Sequence, residues 1–189
     1  MRNVKLQTLM VALAMILTTF LSQETLAYYT AAGVATNVVT SGSIKMQIHE
    51  ETAEGTPFPE NGVYVEPGDV VSKRVTVENI CSQPFHLRVK LVHGAENSQL
   101  NAEEAFDISL NTAYWTPHED GYIYFNRILQ PGETTEPVFT EVGIIGSEEY
   151  RGETLTLTVT AHATQSKNNP AEHPWDAAGW PADEGEAAR

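Results

Sequence analysis

Hydrophobic positions along this chain recur mostly with period two, the spacing of a strand with one buried and one wet face. Ile44, Met46 and Ile48 alternate with Lys45, Gln47 and His49. Over residues 71–79, Val71, Val75 and Val77 share one face, and Arg74, Thr76 and Glu78 share the other. Lys73 interrupts that apolar face, which predicts a strand ending near a sheet edge. The cleanest alternation sets Phe85, Leu87, Val89 and Leu91 against His86, Arg88 and Lys90. Leu155, Leu157 and Val159 alternate with threonines in the same way. Residues 122–129 (YIYFNRIL) are apolar on both faces and predict a central strand.

Turn chemistry separates these runs: Asn61-Gly62, Glu66-Pro67-Gly68-Asp69 and Gln130-Pro131-Gly132-Glu133. Proline presets the first φ of a type II turn, and glycine accepts the positive φ that follows. The two Pro-Gly turns each lead into a Thr/Val-rich stretch, a short internal echo. Residues 101–110 (NAEEAFDISL) can open as a short helix, with Asn101 as cap and acids in the first turn. The expected fold is all-β: a jelly-roll-like antiparallel β-sandwich over residues 28–165, with a short helix or irregular insert. From Ser166 the pattern dissolves among Asn169-Pro170, His173-Pro174 and Trp180-Pro181. Residues 166–189 read as a largely disordered acidic tail, with room for one helical turn near Asp176.

Before the first strand stands a different pattern. Arg2 and Lys5 precede an apolar run of 13 residues, Leu9 to Leu21, and then small residues Thr25 and Ala27. That order is the order of a secretory signal peptide, here residues 1–27, with cleavage expected between Ala27 and Tyr28. The run falls short of the roughly 20 residues of a permanent span, so no lasting membrane anchor is expected.

Charge narrows the choice of partners. The whole chain has 11 basic and 25 acidic residues. The signal takes Arg2, Lys5 and Glu24, leaving nine against 24, or net −15. Such a surface repels nucleic acid and anionic lipid, excludes both as partners, and keeps copies apart at low salt. One cysteine, Cys81, rules out an internal disulfide framework. It reads as a small core residue, since a nucleophile needs a positioned base and none announces itself.

No catalytic set emerges. The six histidines are His49, His86, His93, His118, His162 and His173. His49-Glu50-Glu51 and His118-Glu119-Asp120 start like a zinc-protease helix but lack a second His four residues on. His86 and His93 stand seven apart on one strand and so point to opposite faces. The acids at Glu50, Glu51 and Glu54 lack calcium-loop spacing. No catalytic residue, cofactor site or metal site is therefore expected.

The segment after the cleavage point carries more information. Residues 28–40 (YYTAAGVATNVVT) are uncharged, small-residue-rich and β-prone. This arm either folds back as the first strand of its own sandwich or pairs with the open edge of a neighbouring molecule. Its candidate assembly residues are Tyr28, Tyr29, Thr30, Val34, Asn37, Val38 and Val39. Head-to-tail repetition of such a contact gives an open filament.

At this junction a family resemblance appears. Ala27-Tyr28-Tyr29-Thr30, Ala35-Thr36-Asn37-Val38-Val39 and Ser41-Gly42-Ser43-Ile44 resemble the junction of TasA/camelysin-like proteins exported by Gram-positive bacteria. Pro67-Gly68-Asp69 with Val75, Val77 and Asn79 is similar to a strand of that group. Tyr124-Phe125-Asn126 with Leu129 and Pro131-Gly132-Glu133-Thr134-Thr135 resembles its second Pro-Gly segment, residues 160–165 (TAHATQ) its closing strand, and Asp176-Ala177-Ala178 with Trp180 its Ala/Trp tail. The match spans nearly the whole chain in short pieces, with Tyr29 where the group more often has Phe.

The resemblance implies a jelly-roll-like sandwich and processing by a signal peptidase of the SipW type. It also implies a secreted, non-enzymatic subunit of biofilm-matrix or cell-surface fibres. The N-terminal segment of one copy would then complete the sheet of the next, a role that falls on residues 28–40. Matrix or cell-wall components are further partners on this reading. One alternative is a monomeric secreted binding or fibre-accessory module using exposed Tyr114, Trp115 and Trp175. Another is a camelysin-type metalloprotease, disfavoured by the missing zinc motif.

Overall fold

A computed structural model describes residues 29–30, 35–36, 44–97, 99–145 and 147–182. The leader and its Ala27–Tyr28 junction lie outside the described residues, as do residues 183–189. The architecture is an all-β sandwich whose ladders are antiparallel with one exception.

The period-two runs become its longest strands. β7 (Phe85–Ala95) and β12 (Leu155–Gln165) form a continuous ladder, from Phe85 opposite Gln165 to Ala95 opposite Leu155. Phe85, Leu87, Val89, Leu155, Leu157 and Val159 point to one side of it and are buried. β10 (Ile123–Phe125) lies between β7 and β9 (Trp115–Pro117). β2 (Ala35–Thr36) adds to the far side of β12, and the sheet order is β2-β12-β7-β10-β9. The expected central strand over 122–129 is thus a short one. The chain leaves the sheet after Phe125 and returns at Leu129, whose N–H and C=O exchange hydrogen bonds with Phe85 at 2.9 and 3.2 Å.

The opposite layer is built on β3 (Met46–Glu51) and β6 (Arg74–Asn79), paired antiparallel over six residue pairs. Residues 133–140 run along the other side of β6: Val138 N–H donates to Val75 O at 2.8 Å, and Thr135 N–H to Val77 O at 2.9 Å. The chain then enters β11 (Glu141–Ile144), between β5 (Val70–Ser72) and β8 (Phe106–Asp107). β4 (Tyr64–Val65) pairs with β1 (Tyr29–Thr30). Val75, Val77, Val138, Trp115, Phe125 and Leu129 close the core between the layers.

Two expectations are corrected. The run 71–79 is two strands, because β5 pairs with β11 and β6 with β3, and the change of partner falls at Lys73. Lys73 marks no exposed edge. Its side chain turns inward, 1% exposed, with Nζ 3.2 Å from Glu50 Oε2 and 4.9 Å above the Phe58 ring. Burial is the main influence lowering the ammonium below its ordinary value, and Glu50 opposes it.

The tail is the second correction. Residues 166–182 fold back over the outer face of the five-stranded sheet instead of dispersing, with a 3-10 turn at Pro174–Asp176. The Asn169 carboxamide anchors them, donating to Gln165 O and Ala178 O and accepting from Ala178 N–H, each at 2.9 Å. The insert expected at 101–110 opens as a 3-10 turn, Ala102–Ala105. Asn101 precedes it, and its side chain donates to Glu104 Oε1 rather than capping the backbone.

Both Pro-Gly turns are built alike, which accounts for the echo in the sequence. Gly68 and Gly132 have φ of +93° and +75°. Asp69 N–H donates to Glu66 O, and Glu133 N–H to Gln130 O. Each closing acid then accepts the first residue's N–H through its carboxylate, at 2.8 and 2.9 Å.

Candidate functional site

The arm supplies two short strands to its own sandwich. Tyr29 and Thr30 pair antiparallel with Val65 and Tyr64. Ala35 and Thr36 pair parallel with Val159 and Thr160. Within this single chain, the fold-back alternative is therefore the one observed. Tyr28, Val34, Asn37, Val38 and Val39 lie outside the described residues.

Among the described residues, two residue pairs hold it in each place. β12 carries 11 residues, all paired with β7 on one side. On the other side, among the described residues, only Val159 and Thr160 meet a strand. Asn169 takes the Gln165 C=O at one end, and along the rest of that edge no strand lies among the described residues, the feature that an added strand recognises.

The second feature is the face under the folded tail. Arg88 lies at its centre, with its guanidinium carbon 3.5 Å from the Tyr122 ring centroid and 4.7 Å from that of Trp180. It donates to Tyr124 Oη at 3.3 Å and Pro181 O at 3.1 Å, and faces His162 Nδ1 at 3.4 Å. Tyr124 donates to Asp120 Oδ2 at 2.6 Å. Burial works to raise the Asp120 carboxyl, but the Tyr124 hydroxyl, Tyr122 N–H and His118 together hold it below the ordinary value. Burial, followed by the Asp120 bond, raises the Tyr124 hydroxyl. Trp175 stacks on His118 and on His173, at 5.3 and 4.6 Å between ring centroids.

This arrangement fastens the tail to the sheet. The Arg88 amino groups, the Tyr124 hydroxyl and His162 Nδ1 are engaged with one another, with Asp120 and with Pro181 O, while Arg88 Nε and Trp180 Nε1 are buried with no hydrogen-bond partner among the described residues. Elsewhere, Cys81 is half-buried and packs against the core, and its Sγ donates to Asn79 Oδ1 and Gln83 O, neither of them a base. Among the described residues no three His, Cys, Asp or Glu side chains gather as a metal site. His86 and His93 do face opposite ways: His86 meets Asn169 O under the tail, and His93 packs on Phe106 inside.

Of the aromatics named for the binding-module alternative, Tyr114 is exposed and the other two are engaged within the fold. Trp115 is fully buried and donates its Nε1–H to Glu136 O, and Trp175 is held between two imidazoles. No protein-family model matches the chain, and no curated protein does.

Sequence reasoning missed the tail's seat on the sheet. A signal was present. Arg88, His86, His162 and Thr164 occupy the face that alternation assigns to water, yet all four are buried.

Proposed function

We propose that this chain is a secreted, non-enzymatic structural subunit of extracellular fibres, of the biofilm-matrix or cell-surface kind. Copies assemble by exchange of the N-terminal segment, residues 28–40, after cleavage by a SipW-type signal peptidase. The observation that carries the reading is the pairing of that segment: two residues on β4 and two on β12. The arm is β-competent, four of its residues pair among the described residues, and most of the β12 edge beside it has no strand among the described residues. Such a segment can leave its own edge and make the same main-chain bonds on a neighbour's, which extends the assembly in one direction.

Electron microscopy of purified protein starting at Tyr28, beside the same protein lacking residues 28–40, tests the proposal. Filaments are expected from the first and single particles from the second. Single particles from both at high concentration, in acid and in salt, would refute it.

A further inference from the structure

A different open edge lies within the same sheet. Glu96 N–H donates to Thr154 O at 3.0 Å, so the even-numbered residues of β7 direct their main-chain groups to β12. The odd-numbered ones face the other way: Phe85 bonds Leu129, and Val89 stands opposite Ile123 of β10. β10 pairs no further than Val89, so Leu91, His93 and Ala95 point their N–H and C=O groups where, among the described residues, no strand lies. In its place is a groove of about 510 Å³, walled by Leu100, Asn101 and Ala102.

The geometry points to a second copy of this chain as the occupant. Two β7 strands pair antiparallel across a two-fold axis at His93, joining two sheets into one. The residues around the groove select both partner and register. With His93 opposite His93 of the second copy, Leu91 meets Ala95, and these odd-numbered pairs form six main-chain hydrogen bonds. The same register sets Lys90 opposite Glu96, which is exposed, twice by symmetry. It also sets Val92, 46% exposed, opposite Gly94 of the other copy, over which that copy's own Thr156 Oγ1 lies. Burial holds the His93 imidazole below its ordinary value against the pull of Glu103, so the two rings meet uncharged near neutral pH. On a chain of net charge −14, a strand with a cation at one end and an anion at the other is a surface that a second copy can approach.

Sedimentation velocity on the exported protein lacking residues 28–40, which cannot build filaments by exchange of the arm, is expected to show a reversible, concentration-dependent dimer. Lys90→Glu and Glu96→Lys each place like charges together twice, and should raise the dissociation constant about 10- to 100-fold. Combining the two reversals should restore dimerisation, an outcome that mere damage to the fold would not give. In the full exported protein with Cys81→Ser, His93→Cys should form a disulfide-linked dimer on oxidation, since hydrogen-bonded antiparallel partners sit about 5.5 Å apart at Cα. Lys90→Cys, half-buried at the same edge and opposite Glu96, should not link to itself. A monomer up to about 1 mM protein overturns the inference. So do single reversals without effect, a double reversal that fails to restore, or His93→Cys linking to a cysteine at Val38 instead of to itself. The last result would assign the groove to the arm.

Discussion

Replacing Lys73 tests whether the switch between β5 and β6 is set by its buried charge or merely tolerates it. The ammonium is 1% exposed and has one carboxylate, Glu50, at 3.2 Å, plus the Phe58 ring. The pair is incompletely satisfied, because Glu50 Oε1 is buried with no hydrogen-bond partner among the described residues. Lys73→Met keeps the aliphatic stem on Phe58 but strands the Glu50 charge. Breaking one side of a buried pair costs about 3–5 kcal/mol. At about 3 °C per kcal/mol for a domain of this size, the melting temperature should fall by about 10 °C. Lys73→Met combined with Glu50→Leu removes both desolvation penalties. That variant should match the parent or exceed it by about 1–4 kcal/mol.

The pH dependence carries its own sign. Burial lowers the Lys73 ammonium below its unfolded value, so the unfolded chain binds this proton more tightly. The Lys73 contribution to stability therefore rises as pH climbs from the folded value toward the ordinary 10.5, and the double variant should lack that rise. Urea melts of the three proteins at pH 7 and pH 10 read both effects. A single variant as stable as the parent, or a double variant as weak as the single, would refute the reasoning.

Two further outcomes follow from the same structure. Arg88→Ala removes the bond to Pro181 O and the contact with Trp180, so the tail should lift: tryptophan emission should shift to the red and protease should cut after residue 165. Asp120 contributes stability above its unfolded value that is lost as pH falls through its lowered folded value, so Asp120→Asn should flatten the acid limb of a stability profile below about pH 4.

Much of the fold was legible because it depends on local pattern. β7 and β12 alternate cleanly, and each Pro-Gly turn carries its hydrogen bonds within four residues. The rest depended on partners that no window contains. Nothing near Lys73 reveals that the β5–β6 run changes sheets there, since Glu50 is 23 positions away. The tail has the Pro, Asn and acid content of a disordered segment. Its anchors are side chain to backbone across the fold, as in Arg88 to Pro181, 93 positions apart. Trp115 looked like a surface aromatic because its neighbours Tyr114 and Thr116 are polar. It is core because its indole N–H finds Glu136 O. The arm is the same problem in its hardest form: residues 28–40 are β-prone on composition alone, and pairing decides which edge they occupy.

Energy scale decides how such an arm behaves. Cross-strand side-chain pairs contribute about 0.2–1 kcal/mol each, and main-chain hydrogen bonds about 0.5–1.5 kcal/mol net. The four residue pairs among the described residues therefore contribute a few kcal/mol to holding the arm. On the proposed reading, the same pairs form again on the neighbour, so exchange is nearly neutral in contacts. The balance then passes to terms outside the arm: the entropy of association, and the repulsion between cleaved chains of net charge −15. Salt shortens that repulsion to about 8 Å at physiological strength, whereas it hardly affects main-chain bonds. Assembly should accordingly respond more to ionic strength and protein concentration than to conservative substitutions within residues 28–40. An arm variant such as Val38→Ile that abolished filaments at every salt concentration would show instead that side-chain fit drives the exchange.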